Sequence, residues 1–182
     1  MAKRQVFYSF HFKNDSWRAG QVRNIGVVEG NTPVSSNDWE EVKRKGNDAI
    51  KRWINNHMEY RTCVIVLIGS ETSSREWCRY EIEHAWKEGK GIMGIYVHNL
   101  KDFNGEQDKK GTNPFNLFYI DRTYNYIAER NYPVDSNETN LSEICKAYEP
   151  PYKISTNVYD YIKEHINEWV EEAIRIRNQY PK

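Results

Sequence analysis

The sequence predicts an α/β fold in which a parallel sheet is flanked by helices. Residues 62–68 read Thr-Cys-Val-Ile-Val-Leu-Ile, a continuous run of apolar and β-branched side chains. Such a run is typical of a strand that helices cover on both faces. Apolar residues recur at helical spacing before and after it. The first hundred residues therefore alternate as β-α-α-β-α-β, the order that predicts parallel strands.

Six segments fill this pattern in the first hundred residues. They are a strand over 5–11, a helix over about 16–25, a helix over about 36–57, the strand over 62–68, a helix over about 74–87 and a strand over 91–97. Asp15 or Ser16 could cap the first helix by accepting hydrogen bonds from its free amides. Gly89 is placed to end the third helix in the left-handed conformation.

The last third of the chain has a weaker pattern. Residues 99–115 predict a long polar loop, and 116–150 predict turns with short aromatic strands over 117–120 and 124–127. A final helix over about 156–178 carries an apolar stripe. Its simplest interpretation is a cover packed on the domain, and the alternative is a surface for a partner or a second copy. The length of 182 residues favours one domain.

Composition excludes several classes of protein. Aromatic residues make up 14% of the chain, too many for a disordered protein. The 26 basic and 26 acidic residues balance, which argues against nucleic acid or a membrane surface as partner. No apolar run could span a bilayer, and the first residues are too polar for a signal peptide. Three cysteines without a Cys-x-x-Cys pair predict no metal site, no disulfide framework and a cytoplasmic location.

One glycine motif is misleading. Gly89-Lys-Gly-Ile-Met-Gly94 has the spacing of a dinucleotide-binding loop. That loop must follow a strand and open a helix, so that the phosphates meet the helix N-terminus. Here the glycines end a helix and open a strand. We therefore interpret them as a helix stop followed by strand packing.

The segment from Gly69 to Ile82 is the most informative. It joins the buried strand to a helix, and open α/β sheets bind ligands in the loops beyond the carboxyl ends of their strands. Trp77, Glu81 and His84 fall within about 60° of one another on that helix, so they could line a pocket together. The alternative is a solvated carboxylate beside a core tryptophan.

Two motifs resemble the Toll/interleukin-1 receptor (TIR) domain. Ser74-Arg-Glu-Trp-Cys-Arg-Tyr-Glu81 is similar to its serine-bearing loop followed by Trp-Cys-x-x-Glu, and Val6-Phe-Tyr-Ser-Phe-His11 is similar to its first strand. The resemblance covers about residues 4–98 and implies a flavodoxin-like TIR-type sheet. Two features depart from it: His11 stands where arginine is frequent, and about residues 99–182 form a C-terminal extension of a single domain over 1–182.

The opening, the region of Asp38 and Trp39, and the length also resemble the TIR-like proteins of the bacterial Thoeris antiphage system. This resemblance implies an enzyme that uses NAD as substrate, without a further cofactor, and makes a cyclic ADP-ribose isomer on phage infection. That signal would activate a separate NAD-degrading effector. Glu81 stands at the position of the family's catalytic glutamate. Other implied features are a phage-derived trigger and a homo-oligomer.

Several other residues are candidates to bind substrate. Phe10, Trp39 and Trp77 could stack on nicotinamide or adenine, although large aromatic residues are more often core residues. Ser9 and His11 lie just past the first strand, where they could meet the diphosphate or ribose. His11 could equally be an ordinary hydrogen-bonding loop residue, and Asp38 could cap the long helix instead of facing the pocket.

Two functions remain open at this point. The first is an NAD glycohydrolase or ADP-ribosyl cyclase that depends on Glu81. The second is a non-catalytic TIR-like adaptor that works by self-association. A carboxylate at position 81 favours the enzyme, since an adaptor does not need one there.

Overall fold

A four-stranded parallel sheet forms the centre of the protein, as the alternating pattern predicts. The computed structural model describes residues 2–31 and 36–181, with the side chains of 36 and 37 left aside. The strands are β1 (Val6–Ser9), β2 (Cys63–Ile68), β3 (Gly91–Tyr96), β4 (Phe118–Asp121), β5 (Ile127–Glu129), β6 (Glu138–Asn140) and β7 (Ala147–Tyr148). The central sheet has the order β1-β2-β3-β7, with all neighbours parallel. The predicted fold class is confirmed.

The described residues form five α-helices, which pack against the sheet. They are α1 (Phe12–Arg23), α2 (Ser36–Arg44), α3 (Asn47–Met58), α4 (Glu76–Lys87) and α5 (Ser155–Arg177). The predicted single helix over 36–57 is wrong, because the chain breaks between α2 and α3 at Gly46, whose φ is 96°. A glycine adopts this conformation at little cost. The prediction rested on an apolar stripe, and that stripe continues in the sequence across the break.

Both faces of the central strands are buried, so both need a cover. Cys63, Ile65 and Leu67 of β2 pack into the cluster that contains α1 and α5. The alternate residues Val64, Val66 and Ile68 pack into the cluster that contains α3 and α4. This alternation follows from the two-residue period of a strand. The helix α5 thus covers one face of the sheet.

The region 116–150 contains more regular structure than its sequence pattern indicates. β4 pairs with β5 and β6 in a small antiparallel sheet, which packs beside α4. The predicted strand over 117–120 is close to β4, whereas β5 begins at Ile127, where the second predicted strand ends. β7 was not predicted, because only two residues pair with β3 and so short a strand has no recognisable period.

A buried ion pair ties α1 to the loop after β3. The carboxylate of Asp15 accepts from Arg18 at 3.0 Å, and Arg18 also donates to the carbonyls of Leu100 at 2.8 Å and Glu106 at 2.9 Å. The predicted capping role of Asp15 or Ser16 is wrong, because α1 begins earlier, at Phe12.

This carboxylate also explains the glycine that follows β2. A Cβ at Gly69 would lie 2.0 Å from Asp15 Oδ2. Burial raises the pKa of Asp15 to about 6, although Arg18 opposes the shift.

The glycines at 89–94 act in packing, as interpreted from the sequence. Gly89 has a φ of 73° and ends α4, and β3 begins two residues later. A Cβ at Gly91 would lie 2.8 Å from the backbone nitrogen of Ile174 in α5. Gly91 therefore allows α5 to approach the sheet closely. Within the described part of the chain, no helix has the length and apolar character needed to cross a membrane.

We predict that Gly91→Ala destabilises the protein by about 1–3 kcal/mol, because the new methyl group meets the backbone of α5. The matched control is Gly20→Ala in α1, where a Cβ meets no atom within 4 Å. That change should stabilise the helix by roughly 0.5–1 kcal/mol. Urea unfolding of both variants measures the difference, and equal shifts would contradict the close approach of α5.

Candidate active site

The carboxyl ends of the parallel strands bring the candidate residues together. Ser9 ends β1 and pairs with Val66 of β2, so the segments after both strands leave the same edge of the sheet. Phe10 and His11 follow β1 directly, and the loop after β2 leads into α4, which carries Glu81. Ligands of open α/β sheets bind at this edge.

A cleft of about 610 Å³ opens at this edge; we call it the outer cleft. Its lining combines aromatic, basic and acidic side chains. They are Phe10, His11, Phe12, Lys13, Trp39, Glu40, Lys43, Ser74, Arg75, Glu76, Trp77, Cys78 and Glu81. The volume lies within the range of small-molecule sites, roughly 300–1,000 Å³.

A smaller cavity of about 60 Å³ lies beside the outer cleft; we call it the inner chamber. It is lined by Phe7, Tyr8, Phe10, Phe12, Arg23, Asn31, Trp39, Trp53 and Glu81. Phe10, Phe12, Trp39 and Glu81 line both cavities. Glu81 therefore stands where the two cavities meet.

The carboxyl group of Glu81 is buried among the aromatic and basic side chains of the two cavities. Glu81 is 8% exposed. Burial raises the pKa of Glu81 to about 8, because the charged form loses its hydration, and the nearby Ser9 hydroxyl opposes this shift. In the free protein at neutral pH, Glu81 is thus largely protonated. A group that ionises near neutral pH can gain or lose a proton during a reaction.

Ser9 lies behind Glu81 and does not line either cavity. Its residue is 1% exposed, and its hydroxyl lies close enough to Glu81 and Cys78 to lower the pKa of both groups. Among the described residues, the hydroxyl makes no hydrogen bond of full length and angle. The Ser9 hydroxyl is therefore placed to lower the pKa of Glu81 from a position outside the two cavities.

The three predicted aromatic residues all line the outer cleft. Phe10 and Trp39 also reach the inner chamber, and Trp39 meets Trp53 edge to face at 5.5 Å between ring centroids. Trp77 meets Tyr80 in the same way at 5.8 Å. These rings give the cleft flat apolar walls of the kind that stack on aromatic ligands.

His11 lies at the mouth of the outer cleft. Its Nδ1 is 3.7 Å from the carboxylate of Glu71. Burial and the charge of Arg75 lower the pKa of His11, whereas Glu71 raises it. The imidazole is therefore neutral at physiological pH.

Two residues from the sequence analysis lie outside the cleft. Asp38 is exposed in the first turn of α2 and does not line either cavity. His84 stacks on Tyr80, with ring centroids 5.8 Å apart, and it also lines neither cavity. The helical spacing of Trp77, Glu81 and His84 placed all three on one stripe, but the cleft reaches only the first two.

Sequence reasoning missed the basic residues of the site. Lys13, Lys43 and Arg75 line the outer cleft, and Arg23 lines the inner chamber with its guanidinium 5.5 Å from the Phe10 ring centroid. Arg75 follows the serine-bearing loop directly, which was the one available signal. The other three are ordinary surface-type residues in the sequence, and only folding brings them to this edge.

The cysteines are buried and free of disulfides. Cys78 lines the outer cleft, but burial and the neighbouring Glu81 raise the pKa of its thiol, so it is a poor nucleophile. Within residues 2–31 and 36–181, no group of three or more His, Cys, Asp or Glu side chains could hold a metal ion.

The family model of the Thoeris protein ThsB, TIR-like domain, matches residues 7–102, more than half of the chain. The chain belongs to this family. All of the candidate residues, from Ser9 to Glu81, lie within the matched range. The resemblance stated from the two motifs is confirmed.

A curated Bacillus cereus (strain MSX-D12) protein named "Putative cyclic ADP-D-ribose synthase ThsB1" is 39% identical over 120 residues. The match covers 63% of this chain and 62% of that protein, so the chain spans less than two thirds of its relative's length. The family model ends before α5, which begins at Ser155.

We predict that Glu81→Gln stabilises the folded protein at neutral pH. The pKa of Glu81 is raised in the folded state from its usual 4.5 to about 8, so the folded state binds the proton more tightly. The wild type therefore loses stability as pH rises from about 4.5 to about 8, by ~1.4 kcal/mol per pH unit at most. Glutamine stays neutral and avoids this loss.

Thermal unfolding should show the two proteins equal at pH 4.5 and the variant higher by roughly 5–10 °C at pH 7.5. Glu83→Gln on the same helix is the control, because Glu83 is half-buried and pairs with Lys87 at 2.6 Å. A variant at position 81 that is less stable than the wild type at pH 7.5 would contradict a buried, protonated Glu81.

Proposed function

We propose that the chain cleaves the nicotinamide–ribose bond of NAD and releases a cyclic ADP-ribose isomer, with Glu81 as the catalytic residue. The observation that carries the proposal is the buried carboxyl group of Glu81 at the meeting point of two aromatic-lined cavities. Membership of the Thoeris TIR-like family and the name of the Bacillus cereus relative support the choice of substrate and product.

The ionised form of Glu81 suits the first step. When the bond between C1″ and the ring nitrogen breaks, the electron pair leaves with nicotinamide, and positive charge develops on the ribose. A carboxylate beside the ribose stabilises that charge, as carboxylates do in glycoside cleavage. Nicotinamide is a good leaving group because its ring is already cationic in NAD, so the step needs no general acid.

The second step needs a nucleophile. A hydroxyl of the adenosine part attacks C1″ and loses its proton, which closes the ring of the cyclic isomer. Attack by water instead gives ADP-ribose. A group that titrates at about 8 is well suited to accept the proton that is lost in either case.

The outer cleft suits the rest of NAD. Lys13, Lys43 and Arg75 supply positive charge for the diphosphate. Arg75 is already held 3.4 Å from Glu71, and Lys43 is 3.2 Å from Glu40. The walls formed by Trp39 and Trp77 would stack on the adenine.

In the cell, we propose that the cyclic product is a diffusible antiphage signal for a separate effector. A phage-derived trigger and a homo-oligomer are part of the same proposal, as is a cytoplasmic location. If the activity test fails, the alternative is a TIR-like adaptor that assembles without catalysis.

The activity test compares wild type, Glu81→Gln and Glu83→Gln on NAD. We expect wild type to release nicotinamide and a product with the mass of cyclic ADP-ribose, both measured by mass spectrometry. Glu81→Gln should lose at least a hundredfold in rate, because the developing charge loses its carboxylate. Glu83→Gln, at a residue that lines neither cavity, should keep wild-type rates.

Lysates of phage-infected cells provide the same comparison in the presence of a natural trigger. Unchanged NAD and no cyclic product from any of the three proteins in either setting would rule out the enzyme. ADP-ribose without the cyclic isomer would restrict the proposal to hydrolysis.

The pH dependence gives a separate test of Glu81. Since the ionised form is needed, kcat/KM should rise with pH and level off above about 8, the pKa of Glu81 in the free protein. The profile of kcat should rise at lower pH, because the cationic nicotinamide ring of bound NAD favours the carboxylate. His11 titrates below 6.5 and cannot produce this rise. A flat profile from pH 6 to 9 would contradict the assignment.

A further inference from the structure

The serine-bearing loop, residues 69–75, forms part of the wall of the outer cleft. Ser74 and Arg75 of this loop line the cleft. Within the loop, Thr72–Ser74 forms one 3-10 turn, and Arg75 pairs with Glu71 at 3.4 Å. Both side chains of that pair are exposed, and exposed ion pairs contribute little to stability. Contacts with other segments therefore matter for the shape of the loop.

The segment after β3 holds the first end of the loop. Asp108 Oδ2 accepts hydrogen bonds from the Ser70 hydroxyl at 2.6 Å and from Asn14 Nδ2 of α1 at 3.0 Å. A Cβ at Gly111 would lie 2.0 Å from the carbonyl oxygen of Gly69. The chain at Gly111 thus lies directly against the start of the loop, an approach that only a residue without a side chain permits.

Arg79 and Glu129 hold the other end of the loop. Arg79 is in the first turn of α4, and its Nη1 donates to the carbonyl oxygen of Ser73 at 3.3 Å. Glu129 of β5 pairs with the same guanidinium, with 3.0 Å between Nε and Oε1. Because one guanidinium serves both partners, its position against Ser73 depends on Glu129.

These anchors come from outside the part of the chain that the family model matches. Asp108, Gly111 and Glu129 all lie beyond residues 7–102. Their contacts nevertheless reach a loop that lines the outer cleft, which lies within that range. Neither Asp108 nor Glu129 lines the outer cleft or the inner chamber. Any effect of these two carboxylates on the cleft must therefore pass through the loop.

We propose that Asp108 and Glu129 are positioning residues for the outer cleft. They hold the serine-bearing loop so that Arg75 meets the diphosphate of the substrate, and Glu129 acts through Arg79. This inference rests on the proposed function, which places the diphosphate in that cleft. A loop that is already ordered loses less conformational entropy when a ligand binds, so the anchors favour substrate binding and not bond cleavage.

Hydrogen exchange of the free protein tests the order of the loop without any turnover. The backbone amides of Gly69, Ser74 and Arg75 all hydrogen-bond inside the loop, so their exchange reports its opening. NMR measures these amides one by one. The amides of β2 serve as the internal reference for opening of the whole domain.

Removal of either anchor should open the loop locally. We expect Gly69 to exchange about tenfold faster in Asp108→Ala, and Ser74 about tenfold faster in Arg79→Met, as the loss of a hydrogen bond to a charged group does. The reference amides of β2 should keep their wild-type rates. Equal acceleration in β2 would mean a general loss of stability and would overturn the inference.

A double-variant cycle tests whether Glu129 acts through Arg79. Glu129→Ala alone should speed the exchange of Ser74 about threefold, because Arg79 keeps its bond but loses its orientation. Added to Arg79→Met, the same change should have no further effect. A double variant that exchanges faster than Arg79→Met would contradict this route.

Glu143→Gln is the matched control. Glu143 is an exposed carboxylate of the same C-terminal extension, and it lines neither cavity. Its loss should leave the exchange of the loop amides and the cleavage of NAD unchanged. An effect as large as that of Asp108→Ala would mean that the loop responds to the charge of the extension in general, which would overturn the specific assignment.

Kinetics on NAD separate positioning from catalysis. In Asp108→Ala and Arg79→Met we expect KM to rise about threefold to tenfold while kcat stays within about twofold, because Glu81 lies outside the loop. A lower kcat at unchanged KM would contradict a role in substrate binding.

The inference and the proposed function fail in different ways. Wild-type exchange of the loop amides in both Asp108→Ala and Arg79→Met would overturn the inference, even if NAD is cleaved normally. If the exchange pattern appears as expected but the wild type does not cleave NAD, the anchors hold the loop and the proposed function is wrong.

Discussion

The central strand β2 must be shielded from water on both of its faces, and the helices are arranged around this requirement. All six of its residues are buried, and its side chains point alternately to both faces of the sheet. Both faces must therefore be covered, since exposing either would leave apolar strands in water. The helices α3 and α4 cover one face, and α1 and α5 cover the other. Although α5 lies beyond the residues that the family model matches, it contributes to the core of the domain.

The two arginines of α1 differ in their hydrogen bonding. Arg18 donates to the carboxylate of Asp15 and to three backbone carbonyls. This network fastens the loop after β3 and closes one part of the edge. Arg23, five residues later, lines the inner chamber, and its buried Nε has no hydrogen-bond partner among the described residues.

The buried carboxyl group of Glu81 lowers the stability of the folded protein at neutral pH. Ile82, Ala85 and Trp86 of the same helix are core residues, and they anchor α4 so that Glu81 is held at the junction of the two cavities. Burial of the carboxyl group favours its neutral form and so opposes folding above the ordinary pKa of glutamate. A site that loses stability to hold an ionisable group in an apolar surrounding is typical of functional centres.

Features that depend on neighbouring residues can be predicted from the amino-acid sequence. The apolar run of β2, the stop at Gly89 and the apolar stripe of α5 can each be recognised within one segment. The motif around Glu81 pointed to the carboxyl group that lines both cavities. Other features depend on contacts between distant segments and become visible only in the folded chain. The break at Gly46 interrupts a stripe that continues in sequence, and β7 exists only because β3 lies beside it. Tyr8 and Arg23 meet because β1 and α1 are folded together under Gly30, a proximity that no periodicity encodes.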